Sequence, residues 1–207
     1  MTANVTISRK FAMQSIIPAN QYVMKAGSSQ MAVQMDQWLV SGSGSSNQVT
    51  GILNNAAVTQ TQVATANALS YADTLAMEKY IAQANANYGN IAYLTSPEAY
   101  SKMKATAKLG STFPVFLIDD QDKVNGKPIV QSPQIPTNLT YTGVSSLTAA
   151  IYGAWQFCLC ATFGAGLDVI VDPFTGSTSG NVTISFLLDF DTEVEHGAAF
   201  VVCPNIS

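Results

Sequence analysis

The sequence is short of charged residues. Asp, Glu, Lys and Arg make up 11% of its 207 residues, against roughly 25% in an average soluble chain. Nine basic and 13 acidic residues give a formal net charge of −4, and no basic cluster is longer than Arg9-Lys10. Surfaces that read nucleic acids need clustered Lys and Arg to neutralise phosphates. The composition therefore argues against an exposed nucleic-acid-reading surface.

Cysteine and long hydrophobic runs are also scarce. Three cysteines, an odd number, argue against a disulfide framework. Cys158 and Cys160 would point to the same side of a strand, but only Cys203 and His196 remain as further soft ligands. We therefore expect neither a metal nor another cofactor. No apolar run reaches the roughly 18 residues of a membrane span, and no secretory signal pattern is present.

The sequence has a single histidine and no pattern typical of an active site. His196 has no Gly-x-Ser-x-Gly nucleophile motif to serve. The acidic turn Asp119-Asp120-Gln121-Asp122 resembles a metal-binding loop only superficially, because Lys123 interrupts the alternation. The prediction is that the protein is not an enzyme.

Neutral polar residues take the place of the missing charges. Ser, Thr, Asn and Gln are spread along the whole chain. A weakly charged surface gives little repulsion between copies, which suits a chain that associates with itself. A monomer of low charge is an equally good interpretation of the composition.

The first half of the sequence predicts a strand and several helices. Residues 4–13 alternate loosely, and a helix over about 18–40 follows, starting at Pro18. At 1.5 Å per residue it would be roughly 33 Å long. Ser70 and Asp73 predict a capping box for a helix that continues to Gly89. Ser96-Pro97-Glu98 starts another helix, which we expect to end at Gly110.

The second half reads mostly as strands. We expect strands at 91–95, 113–118 and 128–131, the last two flanking a turn over 119–126, a buried strand at 149–163 and another at 168–172. The clearest alternation covers about 181–195, where six apolar side chains share one side. At about 3.3 Å per residue this strand would span roughly 45 Å, far more than the usual five or six residues. Helices and segregated strands together predict an α+β protein.

Four acidic residues lie on the other side of this long strand: Asp189, Asp191, Glu193 and Glu195. Their spacing of about 6.6–7 Å permits three interpretations. The row is a solvated face, a contact with basic residues of a neighbouring subunit, or a divalent-cation site. The last lacks the loop geometry that calcium ligation usually needs. We take the four residues as a candidate subunit interface.

The order of several short motifs resembles that of phage major capsid proteins of the Hong Kong 97 type. The central segments are Tyr93–Lys104 (YLTSPEAYSKMK), Phe113–Phe116 (FPVF) and Gly126–Ser132 (GKPIVQS). Matching segments flank them in the same order: Ile7–Lys10, Ser41–Gly44, Thr50–Leu53, Ile151–Gly153, Val171–Phe174 and Ala199–Val202. One departure is Ala154, where the family often has an acidic residue.

The resemblance implies a Hong Kong 97-like fold with two domains. A peripheral domain, about 1–60 and 166–196, would hold the long helix as its spine and the long strand in its sheet. An axial α/β domain would comprise 61–165 and 197–207. The family's N-terminal arm and extended hairpin loop have no counterpart in this sequence, so it resembles the core of such a subunit.

The resemblance also implies a function. The chain would be a structural major capsid protein of a tailed phage or prophage, made in the bacterial cytoplasm and located in the virion. Copies would form pentamers and hexamers of an icosahedral shell around double-stranded DNA, contacted without sequence preference. The portal and other head proteins would be further partners, with no membrane partner and no cofactor. Two alternatives remain: a shell subunit of an encapsulin-like compartment, and a non-catalytic binding module.

Overall fold

The computed structural model describes residues 1–14, 19–61, 69–108, 115–141 and 143–206. The helices in these ranges are α1 Arg9–Gln14, α2 Ala19–Ser41, α3 Tyr71–Gln83 and α4 Pro97–Ala105. The strands are β1 Thr2–Ser8, β2 Thr59–Gln60, β3 Ile91–Thr95, β4 Lys123–Val124, β5 Lys127–Gln131, β6 Leu139–Tyr141, β7 Val144–Ala154, β8 Cys158–Asp172, β9 Asn181–Val194 and β10 Phe200–Ile206. The protein is therefore of mixed helix and strand content, as the α+β prediction requires.

The chain forms two compact units. Unit 1 comprises Met1–Asp36 and Cys160–Thr192, and unit 2 comprises Gln37–Leu159 and Glu193–Ser207. These bounds differ from the expected domains, which assigned 37–60 and 193–196 to the peripheral part and 160–165 to the axial part. The reason is packing: Val40, Ile52, Val58 and Val194 are buried in the core of unit 2.

Unit 1 is built on a three-stranded sheet in the order β1-β9-β8. β1 and β9 are antiparallel, with Ser8 opposite Asn181 and Thr2 opposite Leu187. The pairing ends at Met1, whose carbonyl oxygen accepts a hydrogen bond of 2.9 Å from the backbone N–H of Leu188. β9 continues to Val194 beyond that point, so its last residues have no β1 partner.

The inward face of this sheet packs against α2. Ile184, Phe186 and Leu188 of β9 form a buried cluster with Met31 of α2. Gly27 makes the close approach possible, because a Cβ there would lie 2.2 Å from Phe186 Cζ. α2 has 23 residues and β9 has 14, which confirms the two unusually long elements that the sequence predicts.

Unit 2 contains a larger sheet in the order β2-β10-β7-β3-β5-β4, with β6 paired to β7. β7 is antiparallel to both β3 and β10, whereas β3 and β5 are parallel. Tyr93, Tyr152 and Phe200 are among its fully buried side chains. These central strands are apolar on both faces, which is why they read as continuous hydrophobic segments.

Two helices of unit 2 start as the sequence predicts. Ser70 Oγ accepts a hydrogen bond from Asp73 N, and Asp73 Oδ2 accepts one from Ser70 N, completing the capping box of α3. Ser96 caps α4 by accepting from Ala99 N at 3.1 Å. Met77 and Ile81 of α3 and Met103 of α4 are buried in the core.

The structure corrects three predicted elements. Residues 9–14 form α1 and do not continue the first strand. α3 ends at Gln83, because Ala84 N–H bonds to Ala82 O and Tyr80 O and Asn85 adopts a left-handed conformation with φ 55. The predicted strand at 149–163 is two strands, β7 and β8, separated by a 3-10 turn at Trp155–Phe157.

The predicted turn over 119–126 contains strand β4 and is therefore shorter. Asn125 and Gly126, with φ of 51 and 78, join β4 to β5 in the two-residue Asn-Gly turn that suits the twist of a hairpin. α4 ends at Ala105. The predicted helix end at Gly110 is therefore wrong. The described part of the predicted strand at 113–118 has only isolated bridges, at Phe116 and Ile118, and the predictions for Pro18 and Phe113-Pro114 lie outside the described residues.

Candidate subunit interface

The four acidic residues predicted as an interface are all exposed; three lie in the last part of β9, and Glu195 directly follows the strand. Asp189, Asp191 and Glu193 alternate with buried neighbours such as Thr192 and Val194. The row crosses the boundary between the units: Asp189 and Asp191 belong to unit 1, Glu193 and Glu195 to unit 2. Whether it binds anything remains a prediction.

None of these carboxylates forms an ion pair within the described ranges. Asp191 Oδ1 accepts a hydrogen bond of 2.8 Å from Thr192 N, which leaves its other oxygen available. Glu195 contributes its backbone N–H to Phe157 O at 3.0 Å. Among the described residues the row thus presents carboxylates that take part in no ion pair, with the N-terminal ammonium of Met1 bound to the neighbouring Leu188 O at 2.7 Å.

A second feature of unit 1 is a cavity that the sequence analysis did not identify as a site. It has a volume of about 470 Å³ and lies where β1 gives way to α1, beside the start of β9. Its lining residues are Ser8, Arg9, Lys10, Met13, Gln14, Ser179 and Gly180. The basic pair is visible in the sequence, but the cavity depends on the pairing of Ser8 with Asn181, which sequence periodicity does not reveal.

The backbone fixes the position of this basic pair. Arg9 N donates a hydrogen bond of 2.8 Å to Gly180 O, so the start of α1 is attached to the turn that leads into β9. Arg9, Lys10 and Met13 are all exposed, Met13 to 74%. Two cations and an apolar side chain therefore lie together at this end of the sheet.

The β8–β9 hairpin carries an ordered tip at the same end of unit 1. Asp172 Oδ1 accepts hydrogen bonds from Phe174 N at 2.8 Å and Thr175 N at 3.2 Å, and the Thr175 hydroxyl donates to Asp172 Oδ2. These bonds lower the pKa of Asp172, the Thr175 hydroxyl most of all. They hold a turn from which Phe174 projects with 81% of its surface exposed.

β8 is an edge strand with exposed apolar side chains. Phe163, Val169, Ile170 and Val171 are all exposed, and successive residues point to opposite faces. Long apolar edges are rare in monomeric proteins because they invite other chains to pair with them. This edge is therefore the kind of surface that association with another chain would cover.

The acidic turn of unit 2 binds a side chain cation and a tyrosine. Asp119 Oδ1 accepts from Gln121 N at 3.1 Å and Lys123 N at 2.8 Å. The Tyr100 hydroxyl donates to Asp122 Oδ1, and Lys104 Nζ lies 3.6 Å from that oxygen. The tyrosine bond, and then the lysine, lower the pKa of Asp122.

His196 makes a ring contact with Phe157, their centroids 5.6 Å apart. Among the described residues there is no group of three or more His, Cys, Asp or Glu that could hold a metal ion. The described helices include none that is long and apolar enough to cross a membrane.

Comparison with solved structures identifies the fold. The capsid of a native GTA particle superposes with a TM-score of 0.79 at 15% identity, covering 100% of this chain and 72% of that one. The holo-SrpI encapsulin complex of Synechococcus elongatus gives 0.71 at 14% identity, with coverage of 100% and 73%. Gordonia phage Cozz gives 0.66 at 17% identity, with coverage of 99% and 69%. The fold is that of capsid and encapsulin shell subunits.

The sequence supplies the family. The profile of the phage capsid family matches residues 1–204, and the chain belongs to this family. No curated protein matches the sequence. The predicted resemblance to phage capsid proteins is confirmed, and the protein is a structural protein of the phage capsid.

Proposed function

We propose that this chain is a major capsid protein whose copies assemble into an icosahedral shell around double-stranded DNA. The family match over residues 1–204 carries the proposal. Two structural features support it: an uncovered apolar edge on β8 and a surface with few charges to keep copies apart. The portal and other head proteins would be additional partners in the particle.

In this proposal unit 1 corresponds to the peripheral domain and unit 2 to the axial domain. The long helix α2 and the sheet β1-β9-β8 are the elements that the resemblance assigns to a peripheral domain. The larger sheet with α3 and α4 would then meet its copies in pentamers and hexamers.

Electron microscopy of the purified chain tests the proposal. We expect closed shells in negative stain and a mass far above 21.9 kDa in light scattering coupled to size-exclusion chromatography. Phosphate and sulfate salts favour the burial of apolar surface. A chain that stays monomeric even in these salts would contradict the proposed assembly into shells. Because the function is structural, we also expect no hydrolytic turnover, and turnover that disappears on His196→Ala would contradict that part.

An encapsulin-like shell is the second candidate, favoured by the similarity to the Synechococcus elongatus encapsulin. The contents of the particles distinguish the two. A phage capsid purified from its native source contains nuclease-protected DNA, whereas an encapsulin-like shell contains a protein cargo and no protected DNA. Absorbance spectra and mass spectrometry of the shell contents measure both.

A further inference from the structure

Unit 1 carries opposite charges at opposite ends of its sheet. Arg9 and Lys10 follow Ser8, which is paired with Asn181 at the start of β9. Asp189 and Asp191 lie beyond Leu187, the last β9 residue that has a register partner in β1. Ten residues of strand separate Asn181 from Asp191, or about 33 Å. This is several times the screening length of about 8 Å at physiological salt, so the two sets cannot neutralise each other within one copy.

The remaining charges of unit 1 do not neutralise them either. They are Lys25, Asp36, Asp168, Asp172 and the N-terminal ammonium of Met1. The Met1 ammonium donates a hydrogen bond of 2.7 Å to Leu188 O, beside the acidic end, but it is one cation against the two carboxylates of Asp189 and Asp191. Asp172 is close to the cavity in sequence, but its carboxylate accepts hydrogen bonds from its own turn. Within the described residues neither Arg9 nor Lys10 takes part in a salt bridge. Both ends of the sheet therefore present unpaired charge to solvent.

The cavity at the basic end offers more than charge. Met13 supplies an exposed apolar wall, and Ser179 supplies a hydroxyl. A concave site with two cations suits a strand that carries two exposed carboxylates on one face, since charged contacts across an interface need complementary shape as well as sign. The last part of β9 carries such a pair, because Asp189 and Asp191 are exposed, lie two residues apart and follow the segment that is paired with β1.

We propose that the Arg9-Lys10 cavity of one copy receives the Asp189-Asp191 end of unit 1 of a second copy. This inference rests on the proposed function and names one contact within the shell. The contact joins two different patches, so a pair of copies keeps one unused cavity on one copy and one unused acidic strand on the other. Such a head-to-tail contact propagates into rings or larger assemblies, whereas a contact between identical patches stops at a dimer.

Charge reversal in the full chain tests the contact. The double variants Arg9→Glu/Lys10→Glu and Asp189→Lys/Asp191→Lys should each raise the half-assembly concentration at least tenfold, measured by light scattering at about 50 mM NaCl. Lys25→Glu and Asp36→Lys are controls, because they reverse exposed charges elsewhere in unit 1, on α2, and they should leave it within twofold. Equal effects of variants and controls would overturn the proposal.

A mixing experiment separates a specific contact from a general effect of charge. In an equimolar mixture the cavity of Arg9→Glu/Lys10→Glu, now acidic, can bind the strand of Asp189→Lys/Asp191→Lys, now basic. The unchanged strand of the former variant can also bind the unchanged cavity of the latter. We expect the mixture to assemble when neither variant does alone. A mixture that fails to assemble while the wild type forms shells overturns this contact and leaves the proposed function intact. A wild type that stays monomeric overturns both.

Neutral variants provide a second test in case the charge-reversal variants misfold. Arg9→Gln/Lys10→Gln and Asp189→Asn/Asp191→Asn retain side chains of similar size and polarity. Each should raise the half-assembly concentration and reduce its dependence on NaCl. An unchanged salt dependence in both neutral variants, with native circular dichroism spectra, would refute the pairing.

Discussion

Gly27 and Phe186 offer the sharpest test of how unit 1 is held together. Gly27 lies in the middle of α2, where Ala is ordinarily the better residue by about 1 kcal/mol. A Cβ at this position would meet three ring atoms of Phe186 at 2.2, 2.5 and 2.8 Å. Phe186 is fully buried in the central strand of the sheet, so its ring cannot swing into solvent.

The expected effect of Gly27→Ala on stability is the difference between a packing cost at Phe186 and a gain in helix propensity. Forcing an additional methyl group into a packed core costs about 1–3 kcal/mol, and the gain in helix propensity returns about 1 kcal/mol. The substitution should therefore lower the free energy of unfolding by about 0–2 kcal/mol. Phe186→Ala alone should cost about 3–5 kcal/mol. In that background Gly27→Ala should become stabilising by about 1 kcal/mol, because the clash is gone.

A double-mutant cycle measured by urea unfolding of unassembled subunits tests this reasoning. The two substitutions should show a coupling energy of about 1–3 kcal/mol. Ser29→Ala, at an exposed position of the same helix, serves as the control and should show no coupling to Phe186→Ala. If Gly27→Ala stabilised the wild type and the Phe186→Ala variant equally, α2 would not pack on β9 as described.

Two further predictions concern unit 2. Ser70→Ala removes both hydrogen bonds that Ser70 Oγ makes with Asp73. It should lower the free energy of unfolding by about 0.5–2 kcal/mol. Ser70→Asn keeps a capping oxygen and should lower it much less, and equal losses for the two variants would contradict the capping role. The pKa of Asp122 lies below its ordinary value of 3.8 because of Tyr100 and Lys104, so its stabilising effect is full above pH 3.8 and decreases as the pH falls below that value. Asp122→Asn should flatten the pH dependence of urea unfolding in that acid range. Identical profiles for the wild type and Asp122→Asn would refute the role of Asp122.

Local signals in the sequence were enough to predict the starts of α3 and α4 and the long strand β9. In each case one physical rule decides the outcome within a few residues: a capping side chain at Ser70 or Ser96, or a two-residue alternation along β9. The Asn-Gly turn at 125–126 was missed for the opposite reason. The polar residues around it favoured one broad turn and concealed the short strand β4.

Tertiary contacts decided the elements that were predicted wrongly. The segment 149–163 is nearly continuous in apolar or small residues, and the single Gln156 was not enough to predict the break at Trp155–Phe157. In the structure the Trp155 indole N–H donates to Ala92 O at 3.0 Å, a contact with a strand 63 residues earlier. Similarly, Val40 and Ile52 look like any apolar residues in sequence, and only their burial in the second core shows where unit 1 ends.

Of the two surfaces in the proposed contact, only the acidic one could be predicted from the sequence. Alternation along β9 is enough to place Asp189 and Asp191 on an exposed face. The basic cavity is not visible in the sequence, because it brings Ser8–Gln14 next to Ser179 and Gly180. Such a long-range juxtaposition depends on the register of β1 against β9.

The pairing of β1 with β9 has a consequence for the timing of synthesis. Thr2 pairs with Leu187, so β1 has no partner until the ribosome has translated the chain from Thr2 to Leu187. At roughly 5–20 residues per second, the wait is roughly 10–40 s. The loop to be closed is long, which also slows folding. Ser179 and Gly180 arrive equally late, so the cavity beside Arg9 does not exist on a nascent chain. A growing chain therefore cannot offer this cavity to another copy before Gly180 has been translated.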